Sequence, residues 1–96
     1  MGNYFVYIVT NPNRTVLYIG VTNDLFTRIS QHYESRGQKK HFASKFYCYN
    51  LIYYERHLTP GHAIEREKEI KKWSRNKKEQ LIATLNPKWQ FLNYSL

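Results

Sequence analysis

The chain has 96 residues, with 15 Lys and Arg against 7 Asp and Glu, a formal net charge of +8, and a single cysteine, Cys48. That length supplies one modest core, so residues 1–96 read as a single domain, and the lone cysteine excludes an internal disulfide and a thiolate zinc cage. No apolar stretch reaches the roughly twenty residues that span a bilayer, and the excess of positive charge favours a polyanionic partner, because each neutralised phosphate releases condensed counterions.

Residues 4–9 and 15–21 are rich in β-branched and aromatic side chains, and Asn11-Pro12-Asn13 between them supplies turn chemistry, so the chain opens on a hairpin. Side chains alternate along a strand, which puts Phe5, Tyr7 and Val9 on one face and Val16, Tyr18 and Gly20 on one face of the second strand. The register between Tyr7 and Tyr18 stays open. Asn23 or Asp24 then caps a helix to about Tyr33, with Leu25, Ile29 and Tyr33 as its buried stripe and Arg28 and His32 at the margin, facing the hairpin. Residues 34–45 are polar and basic without a sustained period, which predicts a mobile loop beside that face.

Residues 46–56, with Tyr47, Tyr49, Tyr53 and Tyr54, have the composition of a third strand, and Cys48 within it reads as a small buried hydrophobe. Thr59-Pro60 is a helix start, a capping hydroxyl followed by proline at the first helical position. That helix runs to about Trp73. Another begins near Ser74, carries Lys78, Leu81, Ile82 and Leu85, and stops at Asn86-Pro87. Trp89, Phe91 and Leu92 then fold back on the core. Met1-Gly2-Asn3 leads into a strand instead of a secretory signal, and a reducing, cytoplasmic setting is expected.

One carboxylate breaks the pattern of the helix that starts at Pro60. On a wheel with Ala63 at zero, Ile70 lies near about 340° and Trp73 near about 280°, while Glu67 falls near about 40°, inside the inward arc. Glu65, Lys68, Glu69 and Lys72 all lie on the opposite, solvated side. A buried carboxylate needs a partner. Either it pairs with Arg28, Arg56 or Arg66, or it binds a hard divalent cation, since Mg²⁺ commonly takes one or two carboxylates plus water and substrate phosphate.

These residues resemble the GIY-YIG endonuclease family. Val6-Tyr7 stands for the first half of the name motif and Tyr18-Ile19-Gly20 for the second; Arg28 and His32 follow at the family's spacing, and Glu67 falls where its metal-binding glutamate is expected. Two positions depart from the pattern: Phe5 replaces the first glycine, and Val21 follows Gly20 where some members carry a small polar or basic residue. The segment from Ala63 to Ile82 is most similar to small stand-alone bacterial members, relatives of the incision subunit of nucleotide excision repair.

The resemblance implies an α+β fold, a small three-stranded antiparallel sheet flanked by helices. It also implies hydrolysis of DNA phosphodiester bonds with one divalent metal, Mg²⁺ or Mn²⁺, held by Glu67. Tyr18 would act as general base or orient the water, Tyr7 would position water or phosphate, Arg28 would grip the phosphate, and His32 would assist proton transfer. Without a separate targeting domain, cleavage would be structure-selective or weakly sequence-specific, in repair or recombination, and a protein partner could supply targeting.

The basic residues Arg36, Lys39, Lys40, Lys71, Lys72, Arg75, Lys77 and Lys78 are candidates for non-specific contacts to a nucleic-acid backbone, or else form an ordinary solvated face. His41, His57 and His62 lack the paired spacing of metal ligands and read as structural or surface residues. The rival to an enzyme is a non-catalytic nucleic-acid-binding module that keeps the fold and the basic surface.

Overall fold

The computed structural model describes residues 2–96. The hairpin strands are β1 (Tyr4–Thr10) and β2 (Leu17–Thr22), followed by the helices α1 (Leu25–Glu34) and α2 (Phe42–Lys45), the strand β3 (Asn50–His57), and the helices α3 (Pro60–Lys71) and α4 (Arg75–Leu85); a 3₁₀ turn at Asn93–Ser95 ends the chain. The three strands form one antiparallel sheet in the order β2-β1-β3, so β1 is central and β2 is an edge. The fold is α+β, as the sequence predicts.

The period of two along β1 divides the core between the two faces of the sheet. Val6 and Ile8 pack with Ile19, Ala63, Ile70 and Ile82, under α3 and α4. Tyr7 and Val9 pack with Leu25, Ile29, Ala43, Cys48 and Leu51, under α1 and α2. A register shift between Ile8 and Val9 puts an extra residue in β3, and both Ile52 and Tyr53 join the α3 side.

Three of the helices, α1, α3 and α4, start where the sequence places a cap. The side chain of Asp24 accepts from Thr27 N, that of Thr59 from His62 N with Pro60 at the first turn, and that of Ser74 from Lys77 N. The segment after β3's helices does fold back: Leu92 N donates to Leu51 O at 2.7 Å, and Trp89 packs against the α3 cluster.

Three expectations need correction. Residues 34–45 are not a plain loop, because α2 forms within them and buries Ala43 and Ser44. The third strand begins at Asn50 rather than at residue 46, since Phe46 closes α2 and Tyr47 takes a positive φ of 58° that no strand residue adopts. In α1 the buried positions are Leu25, Ile29 and His32, while Tyr33 lies exposed under the Arg36 guanidinium.

Candidate active site

The site begins with the glycine of β2. Tyr7 pairs with Gly20 across the hairpin, and Tyr18 sits two residues back, opposite Val9, on the same face. A Cβ on residue 20 would lie 2.5 Å from Tyr7 Cζ and 2.5 Å from its hydroxyl, so only glycine lets the phenol ring cross β2. The Tyr7 hydroxyl is thereby delivered to α1, where Asp24 has fixed the start of the helix so that Arg28 and His32, four apart, face the sheet.

There the three side chains form a chain of hydrogen bonds. Arg28 Nε donates to the Tyr7 hydroxyl at 3.2 Å, and that hydroxyl lies 2.7 Å from His32 Nε2. Burial and then the Arg28 charge pull the His32 pKa down to about 4, so its ring is neutral near pH 7. The neutral ring's tautomer sets which of Tyr7 and His32 Nε2 donates in that contact. Burial, partly opposed by Arg28, pushes Tyr7 up to about 12 and keeps it a neutral phenol. Burial works against the charge on Arg28, but its contacts with Tyr7 and Tyr18 outweigh this, and its pKa is raised.

Arg28 also donates from Nη1 to Gln31 Oε1 at 3.2 Å, and among the described residues it forms no ion pair with a carboxylate. It opens instead onto a cavity of about 540 Å³ lined by Tyr18, Arg28, Gln31, His32, Gln38 and Phe42, among others. The half-buried Tyr18 ring stands edge-on to His32, centroids 5.7 Å apart, and stacks on Phe42 at 6.4 Å and 26°. Tyr7 is fully buried and is not among the residues lining this cavity; its hydroxyl is engaged by Arg28 and His32.

Glu67 comes from the other side of the sheet. It lies between Ala63 and Ile70 on α3, the two buried residues of that helix, and its side chain is 20% exposed. Its partner is Lys71, one turn on, with Nζ 3.5 Å from Oε2. None of the three arginines considered from sequence fills that role: Arg28 turns to Tyr7, Arg56 Nε donates to Asn3 Oδ1 at 2.7 Å, and Arg66 is taken by Glu55 and Glu69. Lys71 Nζ also stands 5.7 Å from the centre of the Tyr18 ring, and the Glu67 charge is close enough to push up the Tyr7 pKa. Lys71 thus approaches the Tyr18 ring, but neither Glu67 nor Lys71 is among the residues lining the Arg28 cavity.

Among the described residues no three His, Cys, Asp or Glu side chains group to hold a metal. One carboxylate completed by water and a substrate phosphate suits Mg²⁺ or Mn²⁺, and Glu67, paired among the described residues only with a half-exposed lysine, fits that requirement.

The other basic candidates divide into two groups. Lys39 and Lys40 are exposed between Gln38 and His41, two residues at the cavity, and Arg36 lies just before them with Nη1 on Tyr33 O at 2.7 Å. Lys71 is at the β2 edge, and Lys72 is the exposed C-cap of α3. Arg75 instead braces the hairpin turn, pairing with Glu79 at 3.0 Å and donating to Thr15 O at 2.9 Å. Lys77 lies 4.4 Å above the Trp73 ring, and Lys78 is half-buried on α4. His57 pairs with Glu55 at 2.6 Å, far from any metal role, and His62 is exposed in the first turn of α3.

Sequence reasoning did not single out Gln31 or Phe42. Gln31 has a local signal, three residues after Arg28 on a helix. Phe42 has none, because it meets Tyr18 only through the folding of α2.

Residues 3–80 match the family model described as the GIY-YIG catalytic domain. The chain is 37% identical over 82 residues to UPF0213 proteins of Staphylococcus aureus, among them SAV0488 of strain Mu50 and SA0446 of strain N315, an alignment covering 85% of this chain and 96% of each relative. It is also similar to the solution NMR structure of the UPF0213 protein BH0048 from Bacillus halodurans, with a TM-score of 0.56 and 29% identity over 91% of this chain and 89% of that one. No helix among the described residues is long and apolar enough to cross a membrane.

Proposed function

The chain belongs to the GIY-YIG family, a nuclease family, and from that membership we propose that it is an endonuclease that hydrolyses DNA phosphodiester bonds with a divalent metal. The observation that carries the reading is Arg28. A half-buried guanidinium without a carboxylate, fixed by Tyr7 through Nε and opening onto a cavity, is a receptor for an anion. The net charge of +8 makes a nucleic-acid phosphate the natural occupant.

Each side chain then has a defined task. Arg28 holds the scissile phosphate and stabilises the negative charge that grows on it during attack. Tyr7 keeps Arg28 and His32 in place, and its raised pKa suits a fixed hydrogen-bonding hub better than a base. His32, neutral and engaged through Nε2, holds the Tyr7 hydroxyl rather than shuttling a proton to the leaving group. Tyr18, the phenol that lines the cavity, orients the attacking water and, once its own proton has passed to solvent, takes up the water's proton as the phenolate. Glu67 would hold the metal through its carboxylate, in place of its pairing with Lys71. A bound Mg²⁺ or Mn²⁺ would supply charge stabilisation at the phosphate and the leaving oxygen.

The Glu67–Lys71 pair favours one rival reading, because it neutralises the acid without a metal: a non-catalytic nucleic-acid-binding module. Supercoiled plasmid and branched duplexes, incubated with Mg²⁺, Mn²⁺ or EDTA, separate the two. The enzyme nicks only with metal, and Arg28→Ala and Glu67→Ala abolish nicking while binding of DNA survives EDTA and Glu67→Ala. Equal cutting by the wild type and both variants would assign the activity to a contaminant and leave the binding module.

A further inference from the structure

We propose that α2 and its flanks form a stacking platform for an unpaired nucleotide beside the scissile phosphate, so that the substrate is single-stranded, gapped or flapped DNA in preference to continuous duplex. The inference rests on the nuclease reading and names its substrate class. Its basis is a row of aromatic rings that leads outward from the cavity.

Phe42 is 53% exposed, Phe46 39% and Tyr47 51%, three large rings within six residues. Tyr18, at the cavity, stacks on Phe42, and Phe42 packs against Phe46 with centroids 4.8 Å apart. A small protein that leaves such surface uncovered does so where something binds. The backbone that carries the rings is tied down by hydrogen bonds. Gly37 N donates to Ser44 O at 2.8 Å, the Ser35 and Ser44 hydroxyls are 2.8 Å apart, and Cys48 N donates to Ala43 O at 2.8 Å. Tyr47 adopts a φ of 58°, a conformation rare for aromatic residues, and Gly37 with its φ of 84° accommodates the Tyr47 hydroxyl.

Charge identifies the occupant. No acidic residue occurs between Glu34 and Glu55, whereas Arg36, Lys39, Lys40 and Lys45 all do, and Lys45 Nζ lies 5.4 Å from the Phe46 ring. Exposed aromatic faces among lysines and beside an anion receptor suit bases on a phosphodiester chain, with stacking from the rings and backbone neutralisation from the cations. An apolar protein partner would meet here four cations that form no ion pair among the described residues. The face of a base becomes available only when the strand is unpaired or its stack is broken, and the cavity of about 540 Å³ beside the rings, with Gln31, Gln38 and His41 on its walls, offers such a base polar partners.

Binding in EDTA, where nothing is cut, tests the platform independently of catalysis. Fluorescence anisotropy compares a labelled single strand with a blunt duplex of the same sequence, and 2-aminopurine in the strand reports stacking. The single strand should bind at least about fivefold more tightly. Phe42→Leu and Phe46→Leu keep side-chain volume at half-exposed positions; each should weaken single-strand binding about fivefold or more and relieve the 2-aminopurine quenching, with duplex binding and melting temperature unchanged. Equal affinity for both forms, together with no response to either leucine, overturns the platform even if Arg28-dependent plasmid nicking is observed. Absence of nicking alongside a leucine-sensitive preference for single strands would sustain the platform and sink the hydrolase.

Discussion

Two polar clusters stand on opposite faces of the sheet, and each contains a tyrosine, a histidine and a half-buried arginine. Under α3, Glu55 is the hub: it accepts from Tyr53 at 2.6 Å, from His57 Nε2 at 2.6 Å and from Arg66 Nε at 2.9 Å, while Arg66 also reaches Glu69 at 2.7 Å. Under α1 the hub is the hydroxyl of Tyr7, between Arg28 and His32, and no carboxylate is present. The two sets differ in the charge at their centre. Glu55 neutralises Arg66 and closes its network, whereas the neutral phenol of Tyr7 positions Arg28 and leaves its charge free to act on something outside the protein.

The largest effects should follow that division. Arg28→Ala is expected to lower turnover of plasmid by about 100- to 1000-fold, the usual cost of losing a donor aimed at developing charge, with little change in melting temperature. Glu55→Ala should do the reverse, destabilising the fold by about 3 kcal/mol because Arg66 and Tyr53 are left without their acceptor, while folded molecules keep wild-type turnover. Activity assays beside urea unfolding of both variants check the pair. A variant Arg28→Ala that unfolds readily and still cuts would erase the distinction.

Acid should separate the clusters next. In the unfolded chain His32 gains its proton near 6.5 and in the native state near about 4, so between those values the unfolded chain holds the extra proton. Stability is then constant above 6.5 and falls as the pH drops from 6.5 to 4, by at most about 3 kcal/mol. Burial would raise the Glu55 carboxyl, but the bonds from Arg66, Tyr53 and His57 outweigh it and hold the pKa low, so its contribution is full above the unfolded value of 4.5 and is lost only in stronger acid. Urea denaturation across pH 7 to 4 should therefore show a slope that His32→Gln removes and Glu55→Gln does not. A wild-type curve flat over that interval would mean that His32 is charged in the native state.

Local patterns made most of the fold legible. Capping residues Asp24, Thr59-Pro60 and Ser74 mark three helices at their observed starts, and the alternation of Phe5, Tyr7 and Val9 assigns the faces of β1. The wheel also placed Glu67 on the inward stripe of α3, which its low exposure matches. Its partner Lys71 had a local signal, four residues on along the same helix, which attention to the arginines passed over. The burial of His32 in place of Tyr33 was hidden for a tertiary reason: a hydroxyl from β1, 25 residues away, waits to receive the imidazole, so the polar residue goes inside and the aromatic outside. α2 was missed because four residues are too few to show a period.

The smallest of these effects tests whether the hub of the α1 cluster is held by shape as well as by hydrogen bonds. Gly20 has an ordinary backbone, so alanine is allowed by φ, and the added methyl meets Tyr7 Cζ and its hydroxyl at 2.5 Å and Cε1 at 2.9 Å. The ring cannot swing away cheaply, since it is fully buried and bonded at its tip. Gly20→Ala should cost about 1–3 kcal/mol of stability by overpacking, and because Arg28 loses its guide on Nε, turnover should fall as well. In a double-mutant cycle, Tyr7→Phe already forfeits both hydrogen bonds, so adding Gly20→Ala to it should cost less than the sum of the two single changes. Strict additivity would show that the methyl acts elsewhere, and that glycine at this position serves the strand and not the phenol that crosses it.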